Sequence, residues 1–124
     1  MTLEAIMAEA ARTTVRNEFP WGVIEWLAGA EVGNSRELSL ARMTLAAGSA
    51  NDLHTHDNCE ESVYIVRGRV ECVVGGQGTL LDPGQSTIVP RGAVHLLRNA
   101  GEGPAEIILS HSSAAREFRL AAGA

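Results

Sequence analysis

The sequence lacks the cysteine pattern of a structural zinc site. Its 124 residues include only two cysteines, Cys59 and Cys72, which lie 13 positions apart and belong to no C-x-x-C pair. Zinc sites built on thiolates use closely spaced cysteine pairs, so such a site has no support here. Cys72 lies in an alternating apolar stretch and is expected to be buried as a small hydrophobic residue. A disulfide between Cys59 and Cys72 is the alternative.

Clusters of basic residues and long hydrophobic runs are also absent from the sequence. Lys and Arg number 10 against 15 Asp and Glu, which gives a net charge of −5. A polyphosphate chain would meet repulsion, so we expect no nucleic-acid partner. Apolar runs fall short of the roughly 18 residues of a membrane helix, and Glu4 and Glu9 lie where a signal peptide carries basic residues. We therefore expect a cytoplasmic protein with no membrane partner.

The sequence does contain a succession of short strand-like runs divided by turn residues. Residues 3–12 have the composition and spacing of a short amphipathic helix. From residue 21 onward, β-branched, aromatic or alternating runs are separated by Gly, Pro, Asn and Asp, which predicts an all-β sandwich or barrel. We divide the chain into an N-terminal helix or arm (1–20), a β-barrel (21–112) and a C-terminal tail (113–124). Residues 112–120 are a candidate short helix.

Three of the four histidines fall at strand-like positions from which their side chains can converge. His54 and His56 form an H-T-H pair, and residues two apart on a strand point to the same face. Turn chemistry at residues 57–59 lets the chain reverse, so that Glu61 can bring a carboxylate onto that face. His95, in a later strand-like run, offers a third imidazole. Two or three imidazoles and a carboxylate suit a divalent first-row metal with open positions.

Glu60 is the neighbouring alternative to Glu61 as the carboxylate ligand. The choice matters because adjacent residues on a strand face opposite sides. With Glu61 turned inward, Val63 and Ile65 also face the inside, while Tyr64 lies on the outer face. This pattern favours Glu61.

Two stretches carry a resemblance to a known family. GSANDLHTHDNCEESVYIVRG, from Gly48 to Gly68, resembles the first motif of the cupin family, and GQSTIVPRGAVHLLRN, from Gly84 to Asn99, resembles the second. Every fixed position of both motifs is filled. The resemblance implies a single cupin-type jelly-roll β-barrel whose metal ligands are the four motif residues His54, His56, Glu61 and His95. The alternative is a metal-free barrel with structural histidines, which would bury four polar side chains at a cost of several kcal/mol.

The same resemblance implies a range of functions. The cofactor would be a divalent transition metal, with Fe2+ favoured and Mn2+, Ni2+ or Zn2+ open. The leading hypothesis is a metal-dependent dioxygenase that acts on an oxygenated organic acid or phenolic compound. The alternatives are a non-catalytic cupin that binds a sugar or organic acid, and a sugar isomerase or lyase. A homodimer is expected, with the apolar residues Trp21, Val23 and Ile24 as candidate contacts.

Four further residues have competing interpretations. Cys59 is expected on a solvent-facing turn at the lip of the site, not in it. His111 is expected as a lone surface histidine, with a role as an acid or base near the metal as the alternative. Arg42 is expected on the solvent side of its strand, with a role in holding a carboxylate substrate as the alternative. Asn99 and backbone carbonyls are candidate acceptors for the second nitrogens of the ligand imidazoles.

Overall fold

A computed structural model describes residues 2–5 and 14–121 of the chain. In these ranges the regular structure is strand, apart from one turn of helix at residues 3–5, and residues 6–12 of the predicted helix lie outside them. No helix in the described ranges is long and apolar enough to cross a membrane. The strands are β1 Val15–Phe19, β2 Gly22–Ala28, β3 Ser39–Leu45, β4 His54–Thr55, β5 Glu61–Arg67, β6 Val70–Val74, β7 Gln77–Leu81, β8 Ser86–Val89, β9 His95–Asn99, β10 Ala105–His111 and β11 Arg119–Leu120.

The strands form two antiparallel sheets. One has the order β1-β2-β3-β10-β5-β8 and the other the order β11-β4-β9-β6-β7. Neighbours in each sheet are often distant in sequence, as with β3 and β10 or β4 and β9. This arrangement is a jelly roll. The predicted all-β, single-barrel fold is confirmed.

Strict alternation of buried and outward residues builds the core between the sheets. In β3, in β10 and in β5 as far as Ile65, every second side chain is buried, and Val63, Ile65 and Ile107 are fully enclosed. Tyr64 alternates with them and is exposed, as predicted. Burial of one such aliphatic side chain stabilises the fold by roughly 1.5–3 kcal/mol, so the alternation fixes the register of the central strands.

A glycine makes the turn between β5 and β6 possible. Gly68 adopts a φ of +86°, and a Cβ atom there would lie 3.0 Å from both Cα and Cβ of Ala105. An L side chain is disfavoured by both the backbone conformation and the close approach. The turn therefore requires glycine at the last position of the first motif for a structural reason that is independent of the metal ligands.

The C-terminal segment, defined here as residues 112–121, does not form the expected helix. It bends over the open end of the barrel and then pairs as β11 with β4, Arg119 opposite Thr55. The Asn58 side chain donates to the carbonyl of Ala115 and accepts from the amide of Glu117. These contacts with distant parts of the chain satisfy the backbone groups that a helix would have paired internally, so tertiary contacts override the local preference.

The start of the barrel also differs from expectation in one respect. β1 lies within the predicted N-terminal arm and pairs along its length with β2, Val15 opposite Trp26. Ile24, a candidate dimer contact, is buried in the core, and Trp21 packs against that core. Ile24 is therefore not available for a subunit contact, whereas Trp21 and Val23 are half-buried, and a dimer contact through them stays a prediction. The domain boundaries at residues 20 and 112 stay a prediction.

Candidate metal centre

The four predicted ligands meet at one end of the barrel. His54 is the first residue of β4 and lies opposite His95, the first residue of β9. His56 follows β4 directly, and Glu61 begins β5 in the facing sheet. The two sheets therefore each bring polar side chains to the same end of the core, and all four are 4% exposed or less.

The ligand atoms of these four side chains lie close together. The Nε2 atoms of His54 and His56 are 3.2 Å apart. Glu61 Oε1 lies 3.3 Å from His56 Nε2, and Glu61 Oε2 lies 3.4 Å from His95 Nε2. One nitrogen of each of the three histidines lies within 4.8 Å of those of the other two. Glu61 lies within the same distance of His56 and His111, so the described residues form two adjoining groups of possible metal ligands that share His56.

Backbone carbonyls fix which nitrogen of each imidazole faces this point. The Nδ1 atoms of the three histidines lie against the carbonyl oxygens of Asp52, Glu117 and Ala93, respectively, at the other edge of each ring. Each Nδ1 therefore carries the proton and donates it, which leaves the Nε2 lone pairs directed at the shared point. Asn99, the other candidate acceptor, instead donates its amide to carbonyls in the loops at the far end of β3 and β9.

This donor set fits a divalent cation. Two imidazole lone pairs 3.2 Å apart repel one another unless a cation lies between them. His95 Nε2 is buried and has no hydrogen bond of acceptable geometry to any described residue. Imidazoles and a carboxylate are ligand types that first-row transition metals accept.

The pKa shifts of His54 and Glu61 suit a metal, whereas at His95 the effect of burial is outweighed by Glu61, which raises the pKa of that imidazole. Burial, and then the neighbouring His95, lowers the pKa of His54 to about 4. Burial alone would raise the pKa of Glu61, but the hydrogen bond from His111 and the closeness of the other imidazoles outweigh it and hold that pKa well below its usual range. At neutral pH His54 is therefore neutral and Glu61 is ionised, which are the forms that coordinate a metal.

His111 is part of this cluster, contrary to expectation. It is 2% exposed, and its Nε2 donates to Glu61 Oε1 at 2.6 Å. The prediction of a surface histidine was wrong because His111 continues the inward alternation of β10, in which Ala105, Ile107 and Leu109 are also buried. The period-two pattern of this strand is the sequence signal that could have placed His111 inside.

Cys59 was also expected in a more exposed position. It is 1% exposed, and burial raises the pKa of its thiol. Cys72 is buried, as predicted, and both cysteines are free. A buried thiol of raised pKa is a poor metal ligand and a poor nucleophile, so neither cysteine joins the site.

The orientations of Glu60, Glu61 and Arg42 decide between the alternatives that the sequence left open for these residues. Glu61 points inward and Glu60 outward, as the alternation requires. Arg42 lies on the outer face of β3, where it pairs with Glu25 at 2.6 Å and approaches Glu106 at 3.9 Å. Arg42 is therefore not a substrate ligand.

A cavity of about 140 Å³ adjoins the cluster. Its walls are largely apolar, and several of its lining residues were not singled out by the sequence motifs. The C-terminal segment supplies Arg116 and Phe118, and the Phe118 ring lies against His54 with 4.7 Å between ring centroids. The other lining residues are Phe19, Trp21, Ile24, Met43, Asn51, Asp52, His54, His56, Glu61, Leu97, Leu109 and His111.

Comparison with known families agrees with this geometry. Residues 41–111, more than half of the chain, match the cupin domain. The chain belongs to the cupin family. The matched region contains all four predicted ligands and His111, and it ends just before the C-terminal segment of this cupin.

Curated relatives and solved structures extend the comparison. The chain is 33% identical over 87 residues to germin-like protein 3-8 of Oryza sativa subsp. japonica, a match that covers 64% of the chain and 38% of that protein. It is 30% identical over 89 residues to the xanthan biosynthesis protein XanB of Xanthomonas campestris pv. campestris, covering 72% of the chain and 18% of that protein. The chain thus spans well under half the length of these relatives.

The similar solved structures are larger enzymes. An oxalate oxidase structure matches with a TM-score of 0.75 and 22% identity over 82% of this chain and 56% of its own. A Bacillus subtilis oxalate decarboxylase with Mn(II) centres matches with a TM-score of 0.76 and 20% identity over 85% of this chain and 29% of its own. At these identities the likeness shows the shared fold.

Proposed function

We propose that His54, His56, Glu61 and His95 hold one divalent transition-metal ion, with Fe2+ as the first candidate and Mn2+ as the second. The observation that carries this proposal is the shared orientation of three buried imidazoles, whose Nδ1 atoms are each held by a carbonyl. Four protein ligands leave two positions of an octahedron open for small molecules. Ni2+ and Zn2+ also accept these donor types and are the further candidates.

Residues around the ligands would prepare this site for chemistry. His111 holds one carboxylate oxygen of Glu61, which orients the carboxylate relative to the imidazoles. Phe118 and the apolar cavity walls exclude bulk water from the imidazole edges. When bound, the metal would supply Lewis-acid or redox chemistry at a substrate oxygen. The protein residues would bind and orient the substrate.

We infer that the reaction is a metal-dependent oxidation of a small oxygenated organic acid or phenolic compound, with dioxygen as oxidant. Apart from the ligands and His111, the titratable cavity residues are Asp52 and Arg116. This scarcity of acid–base groups favours chemistry centred on the metal over proton-transfer isomerisation of a sugar. The similarity to oxalate oxidase and decarboxylase structures supports an acid as substrate class by analogy of fold.

A second candidate function is binding of a small acid without turnover. The same scarcity of acid–base groups supports it, because a cavity of this kind can hold a ligand without promoting proton transfer. Calorimetry that finds tight binding, together with no oxygen uptake and no product over a long incubation, would favour the binding protein over the enzyme.

Metal analysis of protein purified without a histidine tag tests the proposed function. We expect about one iron or manganese per chain in the wild type and oxygen uptake with a suitable acid. Glu61→Gln should lose most of the metal, whereas the matched control Glu60→Gln, on the outer side of the chain, should keep it. A wild-type protein without transition metal, or equal metal in both variants, would contradict the proposal.

Two further expectations belong to this proposal. We infer a homodimer formed through the exposed apolar residues Tyr64, Val66 and Ile88 on the outer faces of β5 and β8, with sedimentation as the test. We also infer a cytoplasmic location, which the two free thiols support because reducing compartments keep thiols unpaired.

A further inference from the structure

Arg116 is a charged residue beside the metal site that has no role in holding the metal. It lies in the C-terminal segment, is partly buried and lines the cavity beside the imidazole cluster. Its side chain forms neither a hydrogen bond nor an ion pair with any residue in ranges 2–5 and 14–121. By contrast, Arg119 on the same segment is bonded to both carboxylate oxygens of Asp57. The free guanidinium of Arg116 therefore needs a different explanation.

Aromatic rings hold Arg116 in place. Its Cζ atom lies 4.7 Å from the centroid of the Trp26 ring and 5.5 Å from that of Phe118. Contacts with ring faces restrict the guanidinium but use none of its five N–H donors. A planar fork of donors that is fixed in position and unpaired matches a carboxylate, which can accept two parallel hydrogen bonds.

Charge around the cavity also favours an anion. Burial lowers the pKa of Arg116, and the carboxylates that act on it through space, Glu61 and Glu31, form no direct bond with it. Glu61 is already engaged by His111 and the ligand imidazoles. With a divalent ion bound, the cavity would hold more positive than negative charge, so an anionic ligand would restore the balance.

Two groups would recognise a ligand, the Arg116 guanidinium and the metal site, and the position of Arg116 sets the distance between them. The Phe118 ring lies within 5.5 Å of the Arg116 Cζ atom and 4.7 Å from the His54 ring, so the guanidinium and a proposed metal ligand share one aromatic neighbour. The cavity of about 140 Å³ is smaller than the roughly 300 Å³ at which pockets for drug-sized ligands begin. A small acid fits these limits.

We propose that Arg116, held between Trp26 and Phe118, binds the carboxylate of a small organic acid whose second oxygen faces the imidazole cluster. This inference rests on the proposed function, because it names the substrate class of that site. Arg116 and Phe118 also line a second cavity of about 310 Å³, so the guanidinium borders both cavities. The C-terminal segment thus determines specificity, while the motif strands supply the metal ligands.

Calorimetry on the full chain loaded with Zn2+, which has no redox chemistry, tests the proposal. The probes are lactate and salicylate, each compared with its neutral amide. We expect both acids to bind more tightly than their amides. Arg116→Met keeps an apolar stem against the rings but removes the charge, and should weaken acid binding about 10-fold to 100-fold while amide binding changes less than about twofold. Arg116→Lys should give an intermediate loss.

Arg119→Gln is the matched control, because it removes a nearby arginine of the same segment that already has a carboxylate partner. It should bind the acids as the wild type does. The subsite is overturned if the metal-loaded wild type binds acids no better than amides, or if Arg116→Met keeps acid affinity within about twofold. Metal content is measured on the same samples. A wild type that takes up no metal overturns the proposed function instead.

Discussion

The two walls of the cavity differ in how they are built. The motif wall lies within residues 48–99, and it provides His54, Glu61 and His95 from strands and His56 from the position directly after β4. The C-terminal segment has little regular structure, yet it supplies the carbonyl of Glu117 that holds His56, and the Phe118 ring that covers His54. One wall carries ligand atoms, and the other orients and covers them. Changes to the two walls should therefore have different consequences.

Loss of a motif-wall ligand should have the largest effect. His95→Ala removes a buried ligand and should weaken metal binding more than the roughly 10-fold to 100-fold typical of changes to residues that only support ligands. Chelator competition with metal analysis measures this loss. Circular dichroism should show that the barrel remains. Glu60→Ala serves as a control that leaves the cavity untouched, and full metal retention by His95→Ala would place the ion elsewhere.

Removal of the covering wall should have a smaller effect. A chain ended at Ser112 loses the Glu117 carbonyl, so the His56 imidazole is no longer held in one orientation. Metal affinity should fall roughly 10-fold to 100-fold, as measured by the same competition. A chain ended at Ala121 keeps the whole segment and should behave as the wild type. Equal affinity in the two shortened chains would mean that the segment plays no part in the site.

A change at His111 should have a smaller effect still. His111→Ala leaves Glu61 Oε1 without its 2.6 Å donor and should lower metal affinity about tenfold. The metal-free protein should lose about 1–3 kcal/mol of unfolding free energy, since a buried carboxylate loses a hydrogen bond. Denaturant titration measures this. His111→Gln can still donate and should recover part of both losses, and a full loss in that variant would argue against orientation by hydrogen bonding.

The same contrast explains what the sequence could predict. The motif wall depends on period-two alternation and turn glycines, which are local signals, so the barrel and the inward direction of Glu61 could be read from neighbouring residues. His111 carries the same local signal, but its position at the end of the strand also fits a surface residue, which is why the prediction for it was wrong.

The C-terminal segment could not be predicted in this way. Its course depends on contacts with residues far away in sequence, such as Asn58 and the strand β4. Its composition suggested a helix because local preference was the only information available there. The role of Arg116 depends on Trp26, 90 positions earlier in the chain, and no spacing rule connects them.

X-ray absorption spectroscopy of the untagged, metal-loaded protein tests the central claim most directly. We expect a first shell of nitrogen and oxygen atoms at roughly 2.0–2.2 Å from the metal, supplied by the imidazoles of His54, His56 and His95 and the carboxylate of Glu61. The spectrum should also show multiple scattering from about three imidazole rings. That outer scattering should fall by about a third in His95→Ala after reloading. A sulfur ligand at roughly 2.3 Å, or a first shell without imidazole scattering, would contradict the account.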